Sequence, residues 1–467
     1  MPKRRTLQDT LKESKYAVTH WANCPPQILV HQQKALRRKR TFPRLRMGRV
    51  IQLLYSFLAC VAASEDCADC SDDSAMLQHK KHQECGKPYP FIWDNDANYD
   101  DTLAFLYLAH SENLDWKAIT IESDGMGTPH GGPTNIAAVA QLVGLSHVPI
   151  AMGGLSSLSP IATMPLQWRI ETDEFFERQY ESKILNMTDK AIVDKTAPQL
   201  IVDILNTSAC PVVILTTGPA TNVAEALDMA PSLASNIREI HMMGSAYGVP
   251  GTNNVYDWQM TYNGVKGSCT EDAGQTYTGL SPPLIKNGTK SLIRPECRGV
   301  DMSAHGDTEW NVFMDVRAWR MVYGFLASSP ANVYVLAANA TLNMPVTLEQ
   351  MELYASQLAD PDLRIFVTEL AKAFLEAGEA KWWDAQCAVA MDQVLSGQSI
   401  GVCSNWAEKK KTSVSLIWRS NLTEGELNPY GSVYDDADAH APLIDYCLDG
   451  NVTQMWEVYW PQVNETN

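Results

Sequence analysis

Apolar stretches alternate with segments of helical pattern between residues 89 and 243, and this alternation constrains the fold more than any other feature. The predicted strands are 89–93, 116–121, 148–152, 211–215 and 237–243. The predicted helices between them are 102–109, 135–143, 197–205 and 222–229. Strands joined by helices pair in parallel, and the helices cover both faces of the sheet. The sequence therefore predicts an α/β fold with an open, largely parallel central sheet flanked by helices, in a single catalytic domain.

The first predicted strand runs into an acidic loop that holds Asp94, Asp96, Asp100 and Asp101. Ligands of open α/β sheets bind at the carboxyl ends of the strands, which is where this loop lies. Ionised carboxylates this close repel one another, and hard divalent cations relieve that repulsion because they prefer oxygen ligands. The loop thus predicts a divalent cation site. The alternative is a solvated acidic turn in which Asp100 or Asp101 caps the following helix.

A strand followed by Asp-x-Asp also resembles the nucleophile loop of the magnesium-dependent haloacid-dehalogenase phosphatases. That family usually continues with Thr or Val and needs a later Lys and a further acidic pair. Here the loop continues Ala-Asn-Tyr-Asp-Asp, and the phosphatase pattern lacks the doubled Asp100-Asp101. Phosphatase activity is therefore the weaker alternative.

A set of motifs, in order along the chain, resembles the nucleoside hydrolase family over roughly residues 89–390. They are 94–104 (DNDANYDDTLA), 217–224 (TGPATNVA), 240–244 (IHMMG) with Ser245 in place of the family's second Gly, Thr308-Glu309-Trp310-Asn311 followed by Asp315, and Trp383-Asp384. This resemblance implies hydrolysis of the N-glycosidic bond of ribonucleosides to free base and ribose.

The resemblance also implies a cofactor and a set of site residues. The cofactor is Ca²⁺, and the ligands that match the family are Asp96, Asp101, the backbone carbonyl of Thr221, and Asp384. Asp96 is further expected to act as the general base on the water that calcium holds, because a bound cation lowers the pKa of that water.

Other positions match residues that support the metal cluster or contact ribose in the family. Asp94 is expected to support the cluster from behind. Contacts to the ribose hydroxyls are expected from Asp100, Glu309 and Asn311.

Three residues predict a preference for purine nucleosides. Trp383 stands where many family members have His, Trp168 follows on an early loop, and Asp124 replaces an Asn, as in the branch that prefers inosine, adenosine and guanosine. Two indoles would stack a purine and favour its protonation as it leaves. Alternatively, Trp168 and Trp383 are ordinary packing aromatics. His130, in a Gly-containing loop, is interpreted as structural.

Two features of the chain do not match the family pattern. The family's Gly-Asn before the Glu/Asn motif has no clear counterpart, although Ser303 and His305 lie nearby. Residues 247–300 form a polar insertion, interpreted as a surface excursion near the active-site mouth. The missing Gly-Asn and the substitutions near the base keep a second class of function open, which is a non-catalytic relative that binds nucleoside or calcium.

The N-terminal region predicts export. Residues 1–46 are a basic extension, interpreted as dispensable or not translated, and 47–63 resemble a signal peptide with small residues at its end. A polar linker at 64–86 leads to the domain at 87–467. We expect a secreted protein with no stable membrane anchor after signal cleavage. A buried helix behind a basic tail is the alternative for 50–63.

Sequons and cysteines also favour the secretory pathway. The predicted N-glycosylation sites are Asn186, Asn206, Asn287, Asn339, Asn421, Asn451 and Asn464. Nine cysteines follow residue 63, which allows several disulfides, and a Cys269–Cys297 bridge is one hypothesis. Cys67 and Cys70 form an isolated C-x-x-C pair in a polar stretch, which is weak support for redox or metal chemistry.

The formal net charge of −17 argues against a nucleic-acid partner, which would be bound through its phosphates. The predicted partner is a small-molecule nucleoside substrate. Association into a homo-oligomer is left open by the sequence.

Overall fold

A computed structural model describes residues 85–154, 156–158, 164, 166–245, 247, 309–341, 344–376, 381–414 and 433–464. The predicted 1–46 extension, the 47–63 signal, and nearly all of the 64–86 linker and of the 247–300 insertion lie outside these described residues. The chain from His82 to Asn467 forms one compact unit.

The described strands and helices follow one another as the alternating pattern predicts. The strands are β1 Tyr89–Asn95, β2 Leu114–Ile121, β3 Ile150–Met152, β4 Ile192–Thr196, β5 Val212–Thr216, β6 Ile237–Met243, β7 Asn332–Leu336, β8 Cys403–Lys410, β9 Thr412–Val414, β10 Val433–Asp435 and β11 Ile444–Gly450. The helices are α1 Tyr99–Leu108, α2 Gly131–Leu142, α3 Leu166–Glu181, α4 Ala197–Thr207, α5 Thr221–Met229, α6 Trp310–Met314, α7 Val316–Leu326, α8 Ala338–Thr341, α9 Leu348–Ala355, α10 Pro361–Glu376, α11 Trp383–Ser396 and α12 Val452–Val463, with a 3₁₀ turn at Pro231–Asn236. Within the described ranges, no helix is both long and apolar enough to cross a membrane.

The main sheet has nine strands in the order β4-β3-β2-β1-β5-β6-β7-β11-β8. Every neighbouring pair is parallel except β11 and β8, which pair antiparallel at one edge. The prediction of an open, largely parallel sheet is therefore confirmed. Strand order reverses around β1, because β2 lies on one side of it and β5 on the other, and such a switch point is where α/β folds bind ligands.

Side chains of β1 alternate between two hydrophobic cores, one on each face of the sheet. Phe91 and Trp93 pack into the core shared with α1, α10, α11 and α12. Ile92 packs into the opposite core, with α4, α5 and α7. Because β1 is buried on both faces, it is an apolar run without polar alternation, and this is the pattern that identifies it in the sequence.

Helix α3 and strand β4 were not predicted from the sequence. The strand has the sequence IVDKT, and its last three residues are exposed because β4 is the edge strand of the sheet. An edge strand needs no continuous apolar run, so its sequence lacks that signal. Helix α3 carries many charged residues, and it places Trp168 on a helix where the sequence predicted a loop.

Two disulfides join distant parts of the described chain. Cys85 pairs with Cys210, and Cys403 pairs with Cys447. The thiol of Cys387 is buried and free. Cys67, Cys70, Cys269 and Cys297 lie outside the described residues.

The predicted glycosylation sites differ in their surroundings. Asn186, Asn206 and Asn464 are exposed, and Asn451 caps α12 through its side-chain oxygen. Asn339 is only 8% exposed, and its amide nitrogen donates to the carbonyl of Tyr247. A glycan does not fit on a buried nitrogen with that bond, so the structure argues against Asn339. Asn287 and Asn421 lie outside the described residues.

Candidate active site

The acidic loop joins the carboxyl end of β1 to the amino end of α1. Asp94 is the penultimate residue of β1, and the chain turns through Ala97, whose φ of 62° is left-handed. Oδ2 of Asp101 then accepts a hydrogen bond from the backbone N–H of Asn98 at 2.9 Å. Asp100 and Asp101 thus lie in the first turn of α1, where the helix dipole favours negative charge.

Asp384 joins this loop from α11, which packs against α1. Ligand oxygens of Asp100, Asp101 and Asp384 all lie within 4.8 Å of one another, and the three residues are buried. The Asp96 carboxyl hydrogen-bonds that of Asp101. Oδ1 of Asp100 is buried without a hydrogen-bond partner among the described residues. A divalent cation fits this donor set, because it would satisfy that oxygen and offset the repulsion.

Burial and mutual repulsion raise the pKa values of the whole cluster. Burial, followed by the charge of Asp96, raises the pKa of Asp100 from 3.8 to about 7. Burial is also the largest cause for Asp96, Asp101 and Asp384, whose pKa values are all raised. Without a cation, therefore, the folded protein holds these carboxyl groups at an electrostatic cost.

Thr217 and Thr221 contact different acidic groups. The Thr217 hydroxyl donates to Oδ1 of Asp101 at 2.5 Å. The Thr221 hydroxyl instead lies 2.8 Å from both Oδ2 of Asp124 and Oδ2 of Asp315. Of the two threonines in the TGPAT segment, the first directly follows β5 and contacts Asp101.

Asp94 is buried behind the cluster and well supplied with donors. Its Oδ1 accepts from the hydroxyl of Thr120 at 2.6 Å and from Nδ2 of Asn222 at 2.9 Å. Its carboxyl also hydrogen-bonds that of Glu122, whose pKa is raised well above 4.5 by burial and by the charge of Asp94. Sequence reasoning missed Glu122, although an acidic residue ending the apolar run of β2 was a usable signal.

Asp124, predicted to contact the base, lies in a second acidic group with Asp315. Burial, followed by the charge of Asp315, raises the pKa of Asp124 to about 7. The Thr221 hydroxyl lies between the two carboxyl groups and can donate its one proton to only one of them. The other contact is a hydrogen bond only if that carboxyl carries a proton of its own, so the arrangement favours a protonated Asp124. Asp315 had been recognised only as part of a motif, and the structure adds this contact.

Arg169 supplies a buried positive charge beside these acidic groups. Its guanidinium donates to the carbonyl of Ser123 at 2.9 Å and also to the carbonyl of Gly127. It thereby holds the loop after β2, and the backbone N–H of Met126 in that loop donates to Oδ2 of Asp96. The charge of Arg169 opposes the effect of burial on the pKa of Asp96. A basic residue next to Trp168 was the only sign of this role in the sequence.

Glu309 and Asn311 lie at the amino end of α6, which contacts the chain at the carboxyl end of β6. Glu309 accepts from the backbone N–H groups of Ser245 and Asn311, at 3.1 and 3.0 Å. Nδ2 of Asn311 donates to the carbonyl of Thr217 at 3.3 Å, and Thr217 in turn contacts Asp101 of the acidic cluster. Burial raises the pKa of Glu309 to about 7, and the charge of Asp96 adds to that shift.

The two predicted base-stacking indoles have different aromatic neighbours. Trp168 lies 5.1 Å from Trp310 in an edge-to-face contact. Trp383 is the first residue of α11 and lies 5.8 Å from Phe374. Both are only partly buried, so each keeps some ring surface available. Trp310, from the Glu309-Trp310-Asn311 motif, is a further indole at this site that had not been predicted to bind base.

Solved structures share this fold. The inosine-uridine preferring nucleoside hydrolase from Bacillus anthracis aligns with a TM-score of 0.56 and 15% identity, covering 81% of this chain and all of the other. The purine-preferring ribonucleoside hydrolase from Gardnerella vaginalis aligns with a TM-score of 0.56 and 17% identity, covering 80% and 98%. At these identities the likeness shows the fold alone.

Sequence comparison identifies the family. The model of the inosine-uridine preferring nucleoside hydrolases matches residues 91–457, and the chain belongs to this family. The pyrimidine-specific ribonucleoside hydrolase RihA of Escherichia coli K12 is 33% identical over 160 residues, which are 34% of this chain and 49% of that protein. The chain thus spans about half the length of the curated relatives it matches.

Proposed function

We propose that this protein hydrolyses the N-glycosidic bond of ribonucleosides, with calcium as its cofactor and a preference for purine nucleosides. The observation that carries the proposal is the buried group of Asp100, Asp101 and Asp384 at the carboxyl end of the parallel sheet. A fold that collects buried carboxylates beside Asp96, with raised pKa values, is suited to hold a cation and to position a water.

We assign the calcium ligands to Asp96, Asp101, Asp384 and the backbone carbonyl of Thr217, which replaces Thr221 in the predicted set. Calcium, when bound, would supply Lewis acidity that lowers the pKa of the attacking water. Asp96 would accept the proton of that water, and the N–H of Met126 keeps its carboxylate in place. Asp100, Glu309 and Asn311 would hold the ribose hydroxyls. The negative charges of Asp100 and Glu309 would stabilise the oxocarbenium-like sugar as the base departs.

On the side of the leaving base, Trp383 and the Trp168–Trp310 pair offer stacking surface for a purine ring. Asp124, with a pKa of about 7, is protonated in part of the molecules at neutral pH and would offer a hydrogen bond to the base. The purine-preferring relative and the pyrimidine-specific relative show that both preferences occur among similar proteins. The indoles are what favour purines in this chain.

The decisive experiment measures ribose release from inosine by the purified protein under three conditions. These are added calcium, a chelator, and the chelator followed by excess calcium. We expect hydrolysis that the chelator abolishes and calcium restores. Asp96→Ala should reduce the rate beyond the ~10²–10⁴-fold typical of losing a general base alone, since it also removes a ligand.

Other outcomes of this experiment would favour the alternatives. Calcium binding without ribose release, over a panel of nucleosides, would support a non-catalytic binding protein. Release of phosphate from phosphoesters, with inosine untouched, would support the phosphatase alternative.

We further propose that the protein is exported and glycosylated. The support is the signal-like segment at 47–63, the two disulfides, and the exposed sequon asparagines Asn186, Asn206 and Asn464. N-terminal sequencing of the secreted form should place its first residue after Ala63, and removal of N-glycans should increase its gel mobility. An intact Met1 terminus on an exported form would contradict signal cleavage.

A further inference from the structure

Ser245 has a backbone conformation that serine rarely adopts. It follows Gly244 just beyond the carboxyl end of β6, and its φ is 71°. Glycine reaches this left-handed region freely, whereas a Cβ atom is strained there. Strained non-glycine residues persist where the surrounding structure enforces them, and they concentrate at functional sites. The side chain of Ser245 therefore needs a reason to be present.

The hydroxyl of Ser245 also has no hydrogen-bond partner among the residues that the structure describes. The residue is fully buried, and Oγ forms no hydrogen bond within the described part of the chain. Buried hydroxyls are nearly always hydrogen-bonded, because burying one without a partner is unfavourable. A glycine at this position would avoid both the strain and the unsatisfied hydroxyl.

Backbone contacts fix Ser245 next to the sugar-binding side of the site. Its N–H donates to Oε2 of Glu309 at 3.1 Å, and its carbonyl accepts from the N–H of Ala338 at 2.8 Å. Glu309 in turn lies close enough to Asp96 for the two carboxyl groups to interact electrostatically. Nδ2 of Asn311 donates to the carbonyl of Met243, two residues before Ser245. The backbone of Ser245 is thus held against Glu309, one of the residues that we propose bind ribose, and this places its unpartnered hydroxyl near them.

We propose that Oγ of Ser245 hydrogen-bonds a sugar hydroxyl of the bound nucleoside. This inference rests on the proposed function and adds to it a binding residue that distinguishes ribose from deoxy sugars. The bond would give the buried hydroxyl its missing partner, and the strain is retained because only a side chain at this position supplies the contact.

Two substitutions separate the contact from the strain. Ser245→Gly removes the hydroxyl and relieves the strain, so we expect Tm to rise by about 1–2 °C. The same variant should lose about three- to tenfold in kcat/KM for inosine, which is the effect of one hydrogen bond between neutral groups. Ser245→Ala keeps the Cβ atom and its strain, and should show a similar loss in kcat/KM without the gain in Tm.

Lys183→Gly is the matched control, because Lys183 also has a left-handed φ, of 62°, and lies exposed after α3. It should gain stability without a change in kcat/KM. A Ser245→Gly protein that is more stable and equally active would overturn the inference, since the residue would then be strained without a role in binding.

Deoxy analogues of the substrate identify the partner. The 2′-, 3′- and 5′-deoxy forms of inosine are compared between wild type and Ser245→Ala, as substrates or as competitive inhibitors. For the analogue that lacks the hydroxyl bound by Ser245, wild type and Ser245→Ala should have the same kcat/KM or the same inhibition constant. Equal loss on all three analogues and on inosine would overturn the inference. Wild-type turnover of inosine is measured first, because its absence counts against the proposed function, whereas normal turnover with unaffected Ser245 variants counts only against this contact.

Discussion

The backbone N–H of Met126 donates to Oδ2 of Asp96 at 2.9 Å, across 30 positions of the chain. The carbonyl of Asp96 also accepts from the N–H of Gly127 at 2.5 Å. The loop after β2 therefore holds the proposed base through both its backbone and its carboxylate. This contact explains why a Cβ atom on Gly125 would overlap the Asp96 side chain.

Gly125→Ala should consequently displace Asp96 and reduce kcat for inosine by about 10²-fold, since misplacing a reacting group by 1 Å has an effect of that order. Gly86→Ala is the control, because a Cβ atom there meets nothing within 4 Å. Steady-state kinetics on both variants provides the comparison. Normal kcat in Gly125→Ala would mean that Asp96 is not held in the active position by this loop.

Arg169→Met should also lower kcat, by about tenfold or more, because it releases the carbonyls of Ser123 and Gly127 and removes the buried cation near Asp96. Arg169→Lys keeps the charge but loses the planar fork, so it should be intermediate. Arg178→Met, on the exposed side of the same helix, is the matched control. If the Met variant at 169 matched the control in kcat, the loop would be shown to keep its shape without Arg169.

Removing metal ligands should weaken calcium binding before it affects the fold. Asp101→Asn and Asp384→Asn each remove one negative charge from the cluster, and we expect the calcium concentration for half-maximal activity to rise about 10²-fold. Asp362→Asn, exposed on α10, should leave it unchanged. Calcium titrations of activity and of heat release test this directly. Unchanged affinity in both site variants would place the metal elsewhere.

The indole substitutions test substrate preference. Wild type should favour inosine over uridine in kcat/KM, since stacking contributes roughly 1–3 kcal/mol per base, or about five- to 150-fold. Trp383→Ala should reduce activity on inosine much more than on uridine, and Trp168→Ala should do so more weakly. Trp406→Ala, a half-buried indole on β8, is the control. Equal losses on both nucleosides would show that these indoles only pack.

Metal-free protein should become less stable as the pH rises from about 4 to 7. The folded pKa of Asp100 is about 7, whereas its ordinary value is 3.8. Because the pKa of Asp100 is higher in the folded than in the unfolded protein, protonation of this group favours the folded state. Its contribution to the free energy of unfolding is complete below the unfolded pKa and is lost as the pH rises through the folded pKa. Calcium should largely remove this decline, because it binds the ionised carboxylates. Melting curves in chelator and in excess calcium test this, and a flat metal-free profile would contradict it.

The sequence predicted those parts of the fold and site whose signals are local. Strand β1 and the acidic loop were predictable because a strand buried on both faces is a continuous apolar run that leads directly into the carboxylates. Strand β4 was not, because an edge strand needs no apolar run. The acidic residue after the apolar run of β2 was a usable signal for Glu122, but its contact with Asp94 needed the packing of β2 to be seen. The role of Arg169 depends on contacts with residues far along the chain, which the packing of α3 shows. Our proposal of Thr217, and not Thr221, as the calcium ligand depends on where β5 ends.

The Cys85–Cys210 bond has a consequence for how the chain responds to cleavage. It joins two cysteines that are 125 positions apart, so the chain between them forms a covalent ring. Strands β1 to β4 all lie within this ring. A protease nick anywhere between the two cysteines opens the ring without dividing the molecule. Asp96 and Arg169 would remain attached to the later half of the chain that supplies Asp384. Fragments of such a nicked protein would separate on a gel only after reduction.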